Sequence, residues 1–339
     1  MQMPSYADSF EVLCLQAADN GRKNVLFGDC VDRARVALRP FMVGKAFPSV
    51  YLEFPLMGEP FMDVTVLYGK LEPHTRIDSN TVLGMEPLLD WYAGLGEEYS
   101  DVCFGFELDV KDPSLPKAAV HFEPRAHTEL VEPFCRAIGE PDRAQLYMQQ
   151  TNRMPEEWPL AFFGLFRGRP GSAMRVCGYL GNGERDACAA DPARVARAFD
   201  EVGFAAYDDA MLEQVSTFLA TVPGSVDFQF DVSSGGEVGG TFAIDAKFDC
   251  MQPADVVASF ASGPGARLMQ LFEAWGIADE RWRLVADATF ARALPVDLED
   301  GSQGRFALTL MPQWVKVRWC DGILQPAKLY HFANAALMR

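Results

Sequence analysis

Of the chain's eight cysteines, no two stand at C-x-x-C spacing, which removes the usual zinc knuckle and redox pair. They read as scattered, reduced, mostly buried thiols. There are only four histidines, and no two have metal-ligand spacing, so a zinc site is not expected. The longest apolar runs fall far short of the ~20 residues that span a bilayer. Residues 1–20 lack a basic segment followed by an apolar one, so no secretory leader is expected. Positive charge is scarce: 30 Lys and Arg face 47 Asp and Glu, a net charge of −17. A nucleic-acid partner would need a basic face, so that class is excluded. A small anionic ligand is not, because a few cations can be focused inside an acidic shell. A P-loop, a G-x-G-x-x-G after a strand and a G-x-S-x-G elbow are all missing. The remaining expectation is a soluble, globular, cytoplasmic protein with no membrane partner. About half of its 339 residues are hydrophobic, and no linker divides them, so residues 1–339 read as one domain.

What is present is a repeating order of elements. Five stretches alternate side chains with period two and carry a turn signal near their middle. They are Ser49–Leu56 with Phe61–Tyr68, Asp101–Val110 with Lys117–Glu123, and Leu160–Arg167 with Ala173–Leu180. Ser225–Val232 with Thr241–Phe248 follows, then Arg305–Met311 with Trp314–Cys320, turning near Pro312-Gln313. Between them the period becomes about 3.6. Thr81–Leu95, Ala126–Gln150, Asp191–Ala220 and Pro253–Ala288 read as helices or helix pairs. Gly139, Gly203 and Gly276 each follow an apolar turn and read as helix stops. The chain is thus about five strand-strand-helix repeats, with about ten antiparallel strands.

Alternation separates two faces. Val50, Leu52 and Phe54 oppose Tyr51 and Glu53, and Phe228 and Phe230 oppose Asp227, Gln229 and Asp231. Val315 and Val317 oppose Lys316 and Arg318. The apolar face must pack on the helices. The polar face either meets bulk water on an open sheet or lines a wet lumen. About ten strands favour closure, which removes the sheet edges. The fold class read from this is α+β: a ten-stranded antiparallel barrel with a solvent-filled centre, ringed by helices. Such a lumen is wide enough for ligands.

This order of αββα units, over roughly Val50 to Cys320, resembles the ABBA or PT-barrel aromatic prenyltransferases. Local stretches add to it. Phe306-Ala307-Leu308-Thr309-Leu310-Met311-Pro312 followed by Lys316 resembles the last hairpin of the bacterial phenol and naphthol enzymes. Leu271-Phe272-Glu273-Ala274-Trp275-Gly276 is similar to one of their helix ends. Phe61-Met62-Asp63-Val64-Thr65-Val66 is similar to the strand on which magnesium-dependent members carry an aspartate. The resemblance implies transfer of a dimethylallyl or longer prenyl group from its diphosphate to an electron-rich indole, phenol or naphthol. No cofactor is required, and Mg²⁺ is compatible.

The resemblance also implies roles. Lys117, Arg175, Lys247 and Lys316, with Arg318, would hold the diphosphate. The alternative is four ordinary charged residues on a solvated sheet face. Glu53 would act as base, or is a surface carboxylate. Asp63 would bind Mg²⁺ through the diphosphate, or pair with a lumen cation. Tyr51, His121 and Tyr179 would shield the allylic cation or stack on the acceptor. The family sets a Tyr two residues beyond an inward Lys, whereas Lys117 is followed by Ala119. Glu107, Asp109, Asp227, Asp231 and Asp245 crowd the same face and oppose an anion. A non-catalytic barrel that binds a small or peptidic ligand is the alternative reading.

Overall fold

The computed structural model describes residues 23–38, 50–69, 86–108, 110, 119–166, 173–248, 252–297 and 303–338. Four of the expected hairpins are present: β1 (Val50–Pro55) with β2 (Asp63–Gly69), β3 (Cys103–Leu108) with β4 (Ala119–Glu123), β5 (Leu160–Leu165) with β6 (Met174–Leu180), and β7 (Val226–Val232) with β8 (Val238–Lys247). The expected turns at Asp112-Pro113 and around Arg169-Pro170 lie outside the described residues.

The fifth hairpin is corrected. Its two expected arms are one strand, β10 (Gln303–Cys320), and the irregularity lies between Pro312 and Trp314. The alternation changes phase there. Leu308 and Leu310 are buried before it, Val315 and Val317 after it. A phase change looks like a turn in sequence, but one extra residue in a bulge produces it too. Proline has no N–H for the ladder, and a bulge is where a strand tolerates it. The real turn is Asp321-Gly322, with φ of 50° and 75°. Positive φ at both central residues fits the primed hairpin turns, and Asp-Gly is a preferred pair for them. The chain then returns as β11 (Ile323–Leu324) and β12 (Lys328–Met338), which was not anticipated.

That return strand closes the barrel. β12 pairs with β1 on one side and β10 on the other, and β10 pairs with β8. The ring runs β10-β12-β1-β2-β3-β4-β5-β6-β7-β8 and back to β10, ten antiparallel strands. β9 (Phe290–Asp297) pairs only with the first half of β10, outside the ring.

Helices follow the hairpins: α1 (Lys23–Phe27) and α2 (Cys30–Leu38) precede β1, and α3 (Glu86–Ala93) follows β2. α4 (Val131–Ala137) and α5 (Asp142–Arg153) follow β4. α6 (Asn182–Ala190), α7 (Pro192–Val202) and α8 (Asp209–Thr221) follow β6, and α9 (Pro253–Ser262), α10 (Pro264–Ala274) and α11 (Val285–Ala288) follow β8. The signals for α7 act as expected. Asp191 accepts a hydrogen bond from the Ala193 N–H at 3.0 Å, and Gly203 ends the helix with φ of 81°. Among the described residues, no helix is long and apolar enough to cross a membrane.

The core lies between the sheet's outer face and the helices. Phe54, Phe106, Phe122, Phe163, Phe228 and Phe242 meet Phe134, Val195, Phe199, Val215 and Phe272 there, all buried. Phe122 stacks on Phe134 with ring centroids 4.1 Å apart, and Phe163 closes edge-on at 5.8 Å. Truncating such a ring loses its transfer energy and leaves a cavity. Phe122→Ala is expected to cost about 3–5 kcal/mol in urea unfolding. A cost below about 1 kcal/mol would show that this seam does not hold α4 to the barrel.

Candidate active site

The opposite side chains of the same strands point into the barrel and enclose a cavity of about 350 Å³. That lies within the range of small-ligand sites. Tyr51, Glu53, His121, Arg175, Tyr179, Lys247 and Lys316 line it. A smaller space of about 50 Å³ is lined by Glu53, Arg175, Lys316, Arg318, Asp63 and Lys328. Lys117 lies outside the described residues.

Arg175, Lys247, Lys316 and Lys328 each have an acidic counterpart. Arg175 makes a two-pronged contact with Asp231 at 2.8 and 3.3 Å. Lys247 lies 2.8 Å from Asp227, and Lys316 lies 3.6 Å from Asp245. Lys328 pairs with Glu53. Around the two spaces, the carboxylates of Glu53, Asp63, Glu107, Glu123, Asp227 and Asp245 face the cations Arg125, Arg175, Lys247, Lys316, Arg318 and Lys328. With Asp231 on Arg175, seven carboxylates face these six cations, so an incoming diphosphate meets Arg175, Lys247, Lys316 and Lys328 already engaged. It must take them from carboxylates.

These pairs tune the acids in opposite directions. Burial raises the pKa of Glu53, but Lys328 beside it, helped by Lys316, outweighs burial and leaves it below the ordinary carboxylate range. Glu53 is therefore ionised at neutral pH. Asp227 goes the other way. Burial, with Asp245 across the strand pair, outweighs Lys247 and pushes it up to about 7. Burial also raises Asp245.

Aromatic rings form one wall. Tyr51 lies 4.3 Å from Trp314, and Trp314 stacks on Tyr330 at 4.8 Å. The ammonium of Lys316 lies 4.9 Å from the centroid of Tyr330. Tyr179 instead donates to Glu123 at 2.7 Å and carries the Lys247 ammonium 4.8 Å from its ring centroid. His121 contacts Glu107 at 3.2 Å. Opposite it on β5 stands Gly164, where a Cβ would sit 2.7 Å from the imidazole, so the bare backbone makes room for the ring. Asp63 accepts from the Val110 N–H at 3.3 Å and faces Glu53 across the β1–β2 pair.

Lys328, Tyr330, Trp314, Glu123 and Gln229 were not singled out from sequence. Lys328 and Tyr330 have the spacing of an inward Lys and a Tyr two residues on, which Lys117 and Ala119 lack. They lie on the unanticipated β12. The Asp321-Gly322 pair, followed by alternation through Lys328, Tyr330 and Phe332, was the signal that could have found them.

No family model and no curated protein matches this chain. Solved structures do. The 5-dimethylallyltryptophan synthase from Streptomyces coelicolor aligns with a TM-score of 0.51 at 12% identity, over 97% of each chain. The same synthase in complex with DMASPP and Trp aligns at 0.52 and 13% identity, over 97% of this chain and 94% of that one. With the closed ring of ten strands and its outer helices, this chain has the fold of the ABBA, or PT-barrel, aromatic prenyltransferases.

Proposed function

We propose that the barrel is an aromatic prenyltransferase. It would move a dimethylallyl or longer prenyl group from its diphosphate to an electron-rich ring of the indole, phenol or naphthol type. The observation that carries this is the set of inward cations on separate strands, Arg175, Lys247, Lys316 and Lys328, around one lumen that also holds a buried Glu53. These cations, with Arg318 and the expected Lys117, would take the charge of the diphosphate as the C–O bond breaks. The ring would attack the allylic carbon while Tyr51, Trp314 and Tyr330 flank the cation. Glu53 would accept the proton that the ring N–H or O–H gives up. Tyr179 and His121, tied to Glu123 and Glu107, would shape the far wall. The proposal requires no cofactor. Magnesium would be held by Asp63 together with diphosphate oxygens, since it commonly takes one carboxylate and phosphate. A cytoplasmic location is part of the same reading.

A second reading has its own observation. Arg175, Lys247, Lys316 and Lys328 each contact a carboxylate, which suits a non-catalytic barrel that binds a neutral or zwitterionic ligand. Thermal unfolding with dimethylallyl and geranyl diphosphate separates the two. A donor at ~100-fold its Kd stabilises the fold by about 2.7 kcal/mol. A clear rise in Tm is expected with one of them. Unchanged Tm with both, and no turnover with a panel of indoles, tyrosine and dihydroxynaphthalenes, would leave the binding barrel.

A further inference from the structure

The lumen contains acceptors that the protein does not satisfy. Asp227 and Gln229 stand two residues apart on β7, and Asp245 faces Asp227 directly across the β7–β8 pair. All three are at least nine-tenths buried, at 4, 5 and 4% exposure. Oδ1 of Asp227, Oε1 of Gln229 and Oδ1 of Asp245 have no hydrogen-bond partner. Gln229 Nε2 donates to Asp245 Oδ2, the orientation that an ionised Asp245 requires, because a flipped amide would set two acceptors against each other. Lys247 reaches Asp227 through Oδ2, and Lys316 stays 3.6 Å from Asp245 Oδ1, beyond ordinary hydrogen-bond length. Three buried acceptors on one patch, all lining the cavity, call for a group that carries several donors.

We propose that Asp227, Gln229 and Asp245 form a subsite for the primary ammonium group of a ligand. An ammonium has three N–H donors and no acceptor, which matches three unsatisfied oxygens. Its positive charge suits two buried carboxylates whose contacting lysines, Lys247 on Asp227 and Lys316 on Asp245, leave one oxygen of each without a hydrogen bond. The aromatic wall lies next to this patch: Lys247 and Asp245 on β8 pair with Trp314 and Lys316, and Trp314 stacks on Tyr330. The ligand class is therefore an arylalkylamine, its ring on that wall and its ammonium on the acceptors. The subsite stands whether or not the barrel transfers a prenyl group.

Calorimetric titration of the full chain at pH 8 with 2-phenylethylamine, 2-phenylethanol and trimethyl(2-phenylethyl)ammonium tests it. The first carries charge and donors, the second a donor without charge, the third charge without donors. The primary amine is expected to bind at least about tenfold more tightly than either analogue, a difference of ~1.4 kcal/mol. Asp245→Asn and Gln229→Leu are each expected to reduce that preference about tenfold while 2-phenylethanol binding is kept. Absent or equal binding of the amine overturns the proposal, and so does a trimethylated analogue that binds as well. That comparison uses the native protein alone, so a misfolded variant does not blunt it. No diphosphate is present, so failure here leaves donor binding untouched.

Discussion

Glu53→Gln is expected to lower kcat by about 10²–10⁴-fold, the usual contribution of a positioned general base. Glu53 is suited to that role by its position more than by its basicity. It is buried on β1, faces the lumen, and its charge is held by Lys328. A carboxylate held ionised accepts a hydrogen bond from an indole N–H or a phenol O–H throughout the neutral range. It takes the proton only once ring attack has made that group acidic. Glutamine keeps the volume and an acceptor oxygen for Lys328, so the lumen should not collapse. Donor affinity is expected to hold or rise, because Lys328 is released from its carboxylate. A fall in kcat with donor affinity retained is the signature of a group acting in the chemical step. Single-turnover rates and donor Kd, measured on the same preparation, check it. Full activity in the Gln variant would remove Glu53 from the mechanism, and Glu107 would be the next carboxylate to replace.

Much of the barrel was legible because a period-two pattern with one buried face admits few arrangements. A slip by one residue would turn Phe228 and Phe230 into the lumen and Asp227 and Gln229 into the helix layer, so register follows from pattern. The same logic put Tyr51, Glu53, Arg175 and Lys247 on the inner wall. It failed at Pro312-Gln313, where bulge and turn give the same phase change in sequence. The distinction rests on pairing partners far along the chain. β10 runs on because β12 and β8 bond to it on both sides. Placing the turn too early left β12 unread, and with it Lys328 and Tyr330. Charge pairing was illegible for a related reason. Glu53 and Lys328 are 275 residues apart and meet only because the ring closes. An acidic residue on the inner face can be read from alternation, but which cation it neutralises depends on closure.

That neutralisation leads to the other large expected effect, a proton linked to anion binding. Asp227 holds Lys247 at 2.8 Å and is pushed up to about 7. The charges acting on it are Asp245 and Lys247 on β8 and Glu123 on β4, and Tyr179 on β6 faces it across the strand pair. The sign follows from which form holds the lysine. Above pH 7 the ionised carboxylate competes with a diphosphate for Lys247. Below it the neutral acid does not. A diphosphate that uses Lys247 therefore binds with uptake of one proton. Its affinity should rise by up to about tenfold per unit as pH falls toward 7, and level off below. The empty protein should show the matching trend. A raised folded pKa gives stability that is complete below the unfolded value and lost as pH rises through about 7, so Tm should be lower at pH 8.5 than at pH 6. Dimethylallyl diphosphate titrates in its own right, so the comparison is with Asp227→Asn on the same ligand. The ratio of the two affinities cancels the ligand's protonation and leaves Asp227. That ratio is expected to be largest at pH 8.5 and to shrink toward pH 6, with the Asn variant binding more tightly at the alkaline end. Parallel pH profiles for the two proteins would mean that Lys247 stays with Asp227 and that the donor, if it binds, is held by the other lumen cations.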